Sequence, residues 1–236
     1  LKMNIELLYI KDCPNFKKAR RLIHDTTKSL GLNIPLRKIE IKDEDDSKKY
    51  SFPGSPTIRI NGEDVEPETA SATALTCRIY NNGTGLPDRE ILRCKTAKAA
   101  GLKTVIFVCT GNAVRSQIAE AVVNHFLKGK WVAFSAGIMP MAVNNDVIKV
   151  MKEIGIDISK NRSKHIDIFK SCSFDRVITL CSDADRFCLN YPDYNEKDTI
   201  VFHDPISAGF GFGQLSLLRK LRDEIKKTLI KHLENI

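Results

Sequence analysis

The stretch Val105-Ile106-Phe107-Val108-Cys109-Thr110-Gly111-Asn112-Ala113-Val114-Arg115-Ser116 constrains this chain more than any other. An unbroken apolar run of this length reads as a strand buried on both faces, the kind that sits inside a parallel sheet. It delivers a cysteine, then five residues, an arginine, and a helical pattern over 116–127. A loop of that length between a strand end and a helix start can turn its backbone N–H groups toward one point. The helix dipole adds to them, so Thr110, Gly111, Asn112, Ala113, Val114, Arg115 and Ser116 together predict a cradle for a tetrahedral oxyanion. Gly111 permits the tight curl, and Arg115 can fork two donors onto the anion. The same field favours thiolate over thiol at Cys109, and the thiolate is the attacking species.

From this point strands alternate with helices. Strands are predicted at 103–108, 131–135, 176–180 and 199–202, with helices at 116–127, 144–154 and 214–233. Such alternation implies a parallel sheet covered by helices. The first part of the chain has its own pattern. A strand at 5–10 runs into Asp12-Cys13-Pro14 and a helix through Ala19, Leu22, Ile23 and Leu30. A second strand covers 36–41, and the charged stretch 42–49 reads as a solvated loop or helix face. Ser55-Pro56 then leads into a strand at 57–60, and Asn61-Gly62 turns it back into 63–65 as a hairpin. Turn residues at 81–87 precede a short helix over 88–100. The reading is an α/β chain of two domains, 1–100 and 101–236.

Composition narrows the function classes. Hydrophobic content of 42% with 28% charged residues is ordinary for a soluble protein, and no apolar run is long enough for a membrane span. No secretory signal is read at the N-terminus, so a cytoplasmic location without membrane association is expected. The net charge of +8 is shared evenly between the two halves and forms no basic stripe, so a nucleic-acid partner is not expected. Seven cysteines in a reducing compartment point to reactive thiols rather than to a structural disulfide framework.

The second half carries further motifs in order: Ser116-Gln117 with Ala119-Glu120, then Ser135-Ala136-Gly137, then Thr179-Leu180-Cys181-Ser182-Asp183-Ala184-Asp185 with Cys188, then His203-Asp204-Pro205. With the cysteine loop, they make residues 103–236 resemble the low-molecular-weight protein tyrosine phosphatase fold, specifically the thioredoxin-coupled arsenate reductases built on it. The resemblance implies arsenate as substrate and a thioredoxin or similar thiol as reductant. Catalysis would fall to Cys109, Arg115, Cys181, Cys188 and Asp204, with no cofactor. Cys109 attacks arsenate, and a second thiolate, for which Cys181 is the candidate, attacks Cys109 and releases arsenite. By the same resemblance Cys188 then resolves the Cys109–Cys181 bond and leaves a Cys181–Cys188 disulfide for the reductant. Asp204, held extended by the proline that follows it, corresponds to the family's general acid.

Two alternatives stand beside this one. A phosphotyrosine or small phosphomonoester hydrolase would need only Cys109, Arg115 and Asp204, although Ile206-Ser207 replaces the adjacent tyrosines usual in that branch. A non-enzymatic arsenic-binding or redox-sensing protein would react once and stop. Geometry adds a condition to the first reading. If 182–189 is helical when reduced, a seven-residue separation means about 10.5 Å of rise, whereas a disulfide needs Cα atoms roughly 4.4–6.8 Å apart. The segment would have to unwind on oxidation.

Some reductases of this type hold potassium near the anion loop, and Asn112, Glu120 and Ser135 occupy matching positions. Lys164 falls where a carboxylate ligand belongs, and because its ammonium would repel a cation, no metal is expected. Residues 3–94 resemble a thioredoxin-fold domain on a cysteine opening a helix and on Ser55-Pro56-Thr57 facing it. Cys13-Pro14-Asn15-Phe16 lacks the second thiol of the usual pair. Cys13 is therefore a candidate redox relay or docking thiol, with Cys77 or Cys94 as a distant resolving partner. Cys172 is assigned to packing.

Overall fold

The computed structural model describes residues 3–67, 73–203 and 214–236. The chain separates into two compact units, Leu1–Gly101 and Leu102–Ile236.

The first unit contains β1 (Ile5–Tyr9), α1 (Phe16–Ser29), β2 (Leu36–Glu40), α2 (Glu44–Lys49), β3 (Thr57–Ile60), β4 (Glu63–Asp64) and α3 (Arg89–Ala99). The sheet order is β2-β1-β3-β4, with β2 parallel to β1, β3 antiparallel to β1, and β4 antiparallel to β3. Successive strand residues face opposite sides, and β1 shows it: Ile5 and Leu7 join Ala19, Ile23, Ile58 and Leu92, while Leu8 joins Ile39, Ile41 and Phe52. Asn61 and Gly62 have φ of 52° and 88°, which a two-residue turn with positive φ at both centres requires. The charged stretch resolves into α2, because the Asp43 side chain caps it by accepting from the Asp46 N–H.

The second unit runs β5 (Lys103–Cys109), α4 (Arg115–Phe126), β6 (Trp131–Gly137), α5 (Asn145–Lys152), β7 (Ser173–Thr179), α6 (Ser182–Phe187), β8 (Asp193–Thr199) and α7 (Gln214–Glu234). Its sheet, β6-β5-β7-β8, is entirely parallel. Every residue of β6, and all of β5 except Lys103, is buried: β5 is a central strand, and β6 is covered although it ends the sheet order. Phe134, Phe169 and Phe174 meet edge to face with ring centroids 5.4–5.8 Å apart. Against α4 and α5 lies α7, which buries Leu218, Leu221, Ile225, Leu229 and Leu233 at helical spacing. No helix among the described residues is long and apolar enough to cross a membrane.

The last strand differs from the expectation. Hydrophobicity placed it at 199–202, but β8 is the polar segment Asp193–Thr199. It is an edge strand, and Arg176 on β7 reaches across to ion-pair with both Glu196 and Asp198. Cross-strand charge complementarity replaces apolar burial there. Ile200 and Phe202 still donate to Thr179 and Leu180, continuing the pairing beyond the strand's formal end.

Candidate active site

In an open parallel sheet the crevice lies at the carboxyl ends of the strands, where the strand order reverses. Here the chain leaves β5, crosses to β6 on one side, and later returns to β7 on the other. Cys109 is the final residue of β5, and it sits at that reversal.

The loop after Cys109 is held by its carbonyls. Those of Cys109, Thr110, Gly111 and Ala113 accept from the backbone N–H groups of Ile138, Met139, Met141 and Asn144. The carbonyl of Asn112 accepts from Gln117 Nε2 at 3.0 Å and Ser163 Oγ at 2.7 Å. The backbone bonds tie the loop to the segment that follows β6. Val114 offers no side-chain acceptor to the first turn of α4, an arrangement that suits an anion there.

Gly137 explains why a glycine ends β6. A Cβ there would lie 2.7 Å from the Thr110 carbonyl oxygen and 2.8 Å from the Asn112 nitrogen. The loop packs against the bare α-carbon.

Asn112 organises the centre. It is fully buried and adopts φ 46°, a left-handed conformation that asparagine tolerates better than most residues. Its Oδ1 accepts from the Lys164 N–H at 2.8 Å and from Gln117 Nε2 at 3.2 Å, which fixes Nδ2 on the other side. Nδ2 donates to Ser116 Oγ at 2.8 Å and Ser135 Oγ at 2.9 Å. Because an amide nitrogen only donates, Ser116 accepts there, and its own proton is free to point at Cys109 Sγ, 3.0 Å away. The Asn112 N–H also donates to Cys109 Sγ at 3.3 Å. Two donors converge on a sulfur that is 2% exposed.

Arg115 opens α4, is buried, and donates through Nη1 to the Phe202 carbonyl at 3.4 Å. Cys181 caps the start of α6 from the end of β7, and its Sγ lies 3.4 Å from Thr110 Oγ1. A second thiol therefore touches the cysteine loop across 71 residues of sequence. Cys188 stands at the other end of α6. Burial pushes its thiol up, while Tyr191, hydrogen-bonded to it, acts in the opposite direction. The Tyr191 hydroxyl also donates to the Ala184 carbonyl at 2.9 Å. Around this helix Phe187 and Leu189 are exposed, and Ala184 is its only buried residue.

Asp204 lies outside the described residues. Cys172 is buried in the core, and Cys94 is buried in α3 of the first unit. Cys13 is half-buried ahead of α1, and exposed Cys77 pairs as an isolated bridge with Ser55. Sequence reasoning read Lys164 only as a deterrent to a cation; its Nζ in fact pairs with Glu120 Oε2 at 3.1 Å. Gly137 was noted only as part of a motif, and Tyr191 and Ser163 were missed. The Ser-Ala-Gly at and just past the end of the strand read at 131–135 was the one available signal, since glycine there implies a close backbone approach.

A doubly wound parallel domain whose first strand-to-helix turn wraps a cysteine and is followed by an arginine is an α/β enzyme domain with its cysteine loop at the sheet's switch point. The chain belongs to the low molecular weight phosphotyrosine protein phosphatase family, whose model matches residues 104–236. Within it, the chain is 42% identical over 127 residues to arsenate reductase 1 of Staphylococcus epidermidis, covering 54% of this chain and 92% of that one. It is 43% identical over 126 residues to the arsenate reductase of Staphylococcus aureus strain Newman, covering 52% and 91%. A solved structure of an arsenate reductase in the phosphate binding state superposes with a TM-score of 0.50 at 29% identity, covering 57% of this chain and 99% of that one.

Proposed function

We propose that the chain reduces arsenate to arsenite. The observation that carries this reading is the second thiol at the anion loop: Cys181 Sγ lies 3.4 Å from Thr110 Oγ1. A phosphomonoester hydrolase of this fold needs one thiolate, an arginine and an acid, and has no use for that thiol. The names of the relatives support the same choice.

The chemistry follows from the placement. Arsenate sits in the loop with Arg115 and the backbone N–H groups of residues 110–116 on its oxygens. The Cys109 thiolate bonds to arsenic and one oxygen departs as water, for which Asp204 is the proposed proton donor. The Cys181 thiolate then attacks Cys109 Sγ. An S–S bond forms, the S–As bond breaks, and its electron pair leaves with arsenic as arsenite. Two thiolates have lost two electrons and As(V) has become As(III). Cys188 attacks Cys181, freeing Cys109, and the Cys181–Cys188 disulfide goes to a dithiol reductant of the thioredoxin type. While α6 is intact, its length keeps Cys181 and Cys188 too far apart to bond. Its single buried residue makes it easy to unwind.

For the first unit the reading is a thioredoxin-like domain carrying a redox thiol. The strand order β2-β1-β3-β4, with Cys13 just ahead of α1 and Ser55-Pro56 entering β3, supports it. Ser55 links the candidate pair: its Oγ accepts from the Ile10 N–H at 3.1 Å, three residues before Cys13, and its backbone bridges to Cys77. The proposed role is electron relay to the Cys181–Cys188 disulfide or docking of the reductant, in the cytoplasm. The test of the main reading is arsenic speciation: the full chain with arsenate and excess dithiol should yield arsenite well beyond one equivalent. One equivalent and no more would favour a stoichiometric thiol protein, and none with hydrolysis of aryl phosphate would favour a phosphatase.

A further inference from the structure

Beneath the loop runs a chain of hydrogen bonds that the proposed chemistry does not use directly. Lys164, 4% exposed, donates from Nζ to Glu120 Oε2 at 3.1 Å, and Ser135 Oγ donates to the same oxygen. Ser135 accepts from Asn112 Nδ2, which also donates to Ser116, which faces Cys109 Sγ. The proton order has one consistent solution. The Asn112 amide is oriented by the Lys164 backbone N–H on its Oδ1, so Ser135 and Ser116 must both accept from it. The Ser135 proton then needs an acceptor, and Glu120 Oε2, which also takes the Lys164 ammonium, supplies it. A carboxylate at 8% exposure needs a counter-charge, and the Lys164 ammonium is placed to provide it.

We propose that Lys164 is a positioning residue for Cys109. Its ammonium keeps Glu120 an acceptor, which fixes Ser135, Asn112 and Ser116 in the orientation that presents two donors to the sulfur. The argument rests on Cys109 being the nucleophile, as in the reading above, but its test does not need arsenate.

The experiment uses the full chain with Lys164→Met, Lys164→Arg and Lys164→Ala. The readout is the rate of Cys109 alkylation by iodoacetamide at neutral pH, followed on the Cys109 peptide by mass spectrometry. Alkylation reads the nucleophile alone, so a failure of arsenate turnover in the wild type would sink the functional reading and leave this test standing. Lys164→Met, which keeps bulk and drops charge, should slow alkylation about tenfold, and kcat should fall far more than KM rises. Lys164→Arg should stay within about threefold of wild type. In Lys164→Ala, propylammonium replaces the missing side-chain end and should restore the rate, while propan-1-ol should not. Wild-type alkylation in folded Lys164→Met would overturn the proposal, as would equal loss in the Met and Arg variants. Failure of propylammonium in a folded Ala variant would also overturn it, and if that variant does not fold, the Met and Arg pair decides.

Discussion

Gly137→Ala is the perturbation whose consequence can be worked most fully from the geometry. The added Cβ would stand 2.7 Å from the Thr110 oxygen and 2.8 Å from the Asn112 nitrogen, where ordinary contact begins at 3.4 Å. The loop or the strand must therefore give by 3.4 − 2.7 = 0.7 Å on one atom and 3.4 − 2.8 = 0.6 Å on the other. Neither side is loose. Gly137 pairs with Cys109 across the sheet, and its N–H donates to the Lys164 carbonyl at 2.8 Å, so β6 is held on both flanks. Both obstructing atoms are backbone, and they belong to the segment that must cradle the anion. Overpacking of this kind costs about 1–3 kcal/mol of stability. A displacement approaching 1 Å in a positioned reacting group costs up to about 10²-fold in rate, so kcat/KM for arsenate should fall on the order of 10- to 100-fold. Phosphate, a non-reducible oxyanion, should bind more weakly in calorimetry, and urea denaturation would report the stability cost. If kcat/KM and phosphate affinity both stay within about twofold of wild type, the cradle is not packed as described and the reasoning fails.

Other consequences are independent of that one. Asn112→Ala loses the side-chain hydrogen bonds and strains the backbone at φ 46°, whereas Asn112→Gly loses the same bonds without the strain; both should slow turnover and melt lower than wild type, the alanine variant lower than the glycine one, and equal melting temperatures would count against strain there. Phe134→Ala opens a hole among three rings and should cost about 3–5 kcal/mol in urea denaturation of the second unit; a loss under about 1 kcal/mol would show the cluster relaxing freely. Burial holds the Cys188 thiol up, so its thiolate fraction grows with pH, and transfer of the disulfide from Cys109–Cys181 to Cys181–Cys188 should accelerate up to about tenfold per pH unit above neutrality; Tyr191→Phe, which removes a bond that favours the thiolate, should slow that step, and a pH-independent rate in quenched alkylation would refute the assignment. On oxidation, amide exchange across 181–190 should speed up as α6 unwinds, and unchanged protection would contradict the unwinding. Cys13→Ser should lower turnover with a protein dithiol as reductant while leaving a small-molecule dithiol equally effective, and equal rates with both would remove the relay role.

What was legible in the sequence was what is local. The strand read at 103–108, the helix read at 116–127 and the Asn61-Gly62 turn each depend on residues within a few positions of one another, and the structure forms them within one residue of those bounds, as Lys103–Cys109, Arg115–Phe126 and the turn at Asn61-Gly62. The cap of α2 was also local, an aspartate three residues before another, but charge density hid it. β8 was not legible, because Asp193–Thr199 has no apolar signal and is held by an arginine on the neighbouring strand. Contacts closed by the fold were equally hidden: Cys181 meets Thr110 across 71 positions, and Lys164 meets Glu120 across 44. In the second case the sequence showed the lysine's charge, while its partner, and hence its use, needed the fold.

In the proposed reaction a sequence of thiols reduces arsenic, whereas a single thiol would only bind it or hydrolyse a phosphate ester. Arsenate-dependent NADPH oxidation, coupled through thioredoxin and thioredoxin reductase, tests it directly when wild type is compared with Cys181→Ser and aryl phosphate hydrolysis is followed in parallel. The account predicts many turnovers in the wild type, none in Cys181→Ser, and aryl phosphate hydrolysis by both proteins to the same extent. Arsenate turnover that survives in Cys181→Ser, or no arsenate turnover in either protein while both hydrolyse aryl phosphate, would contradict it.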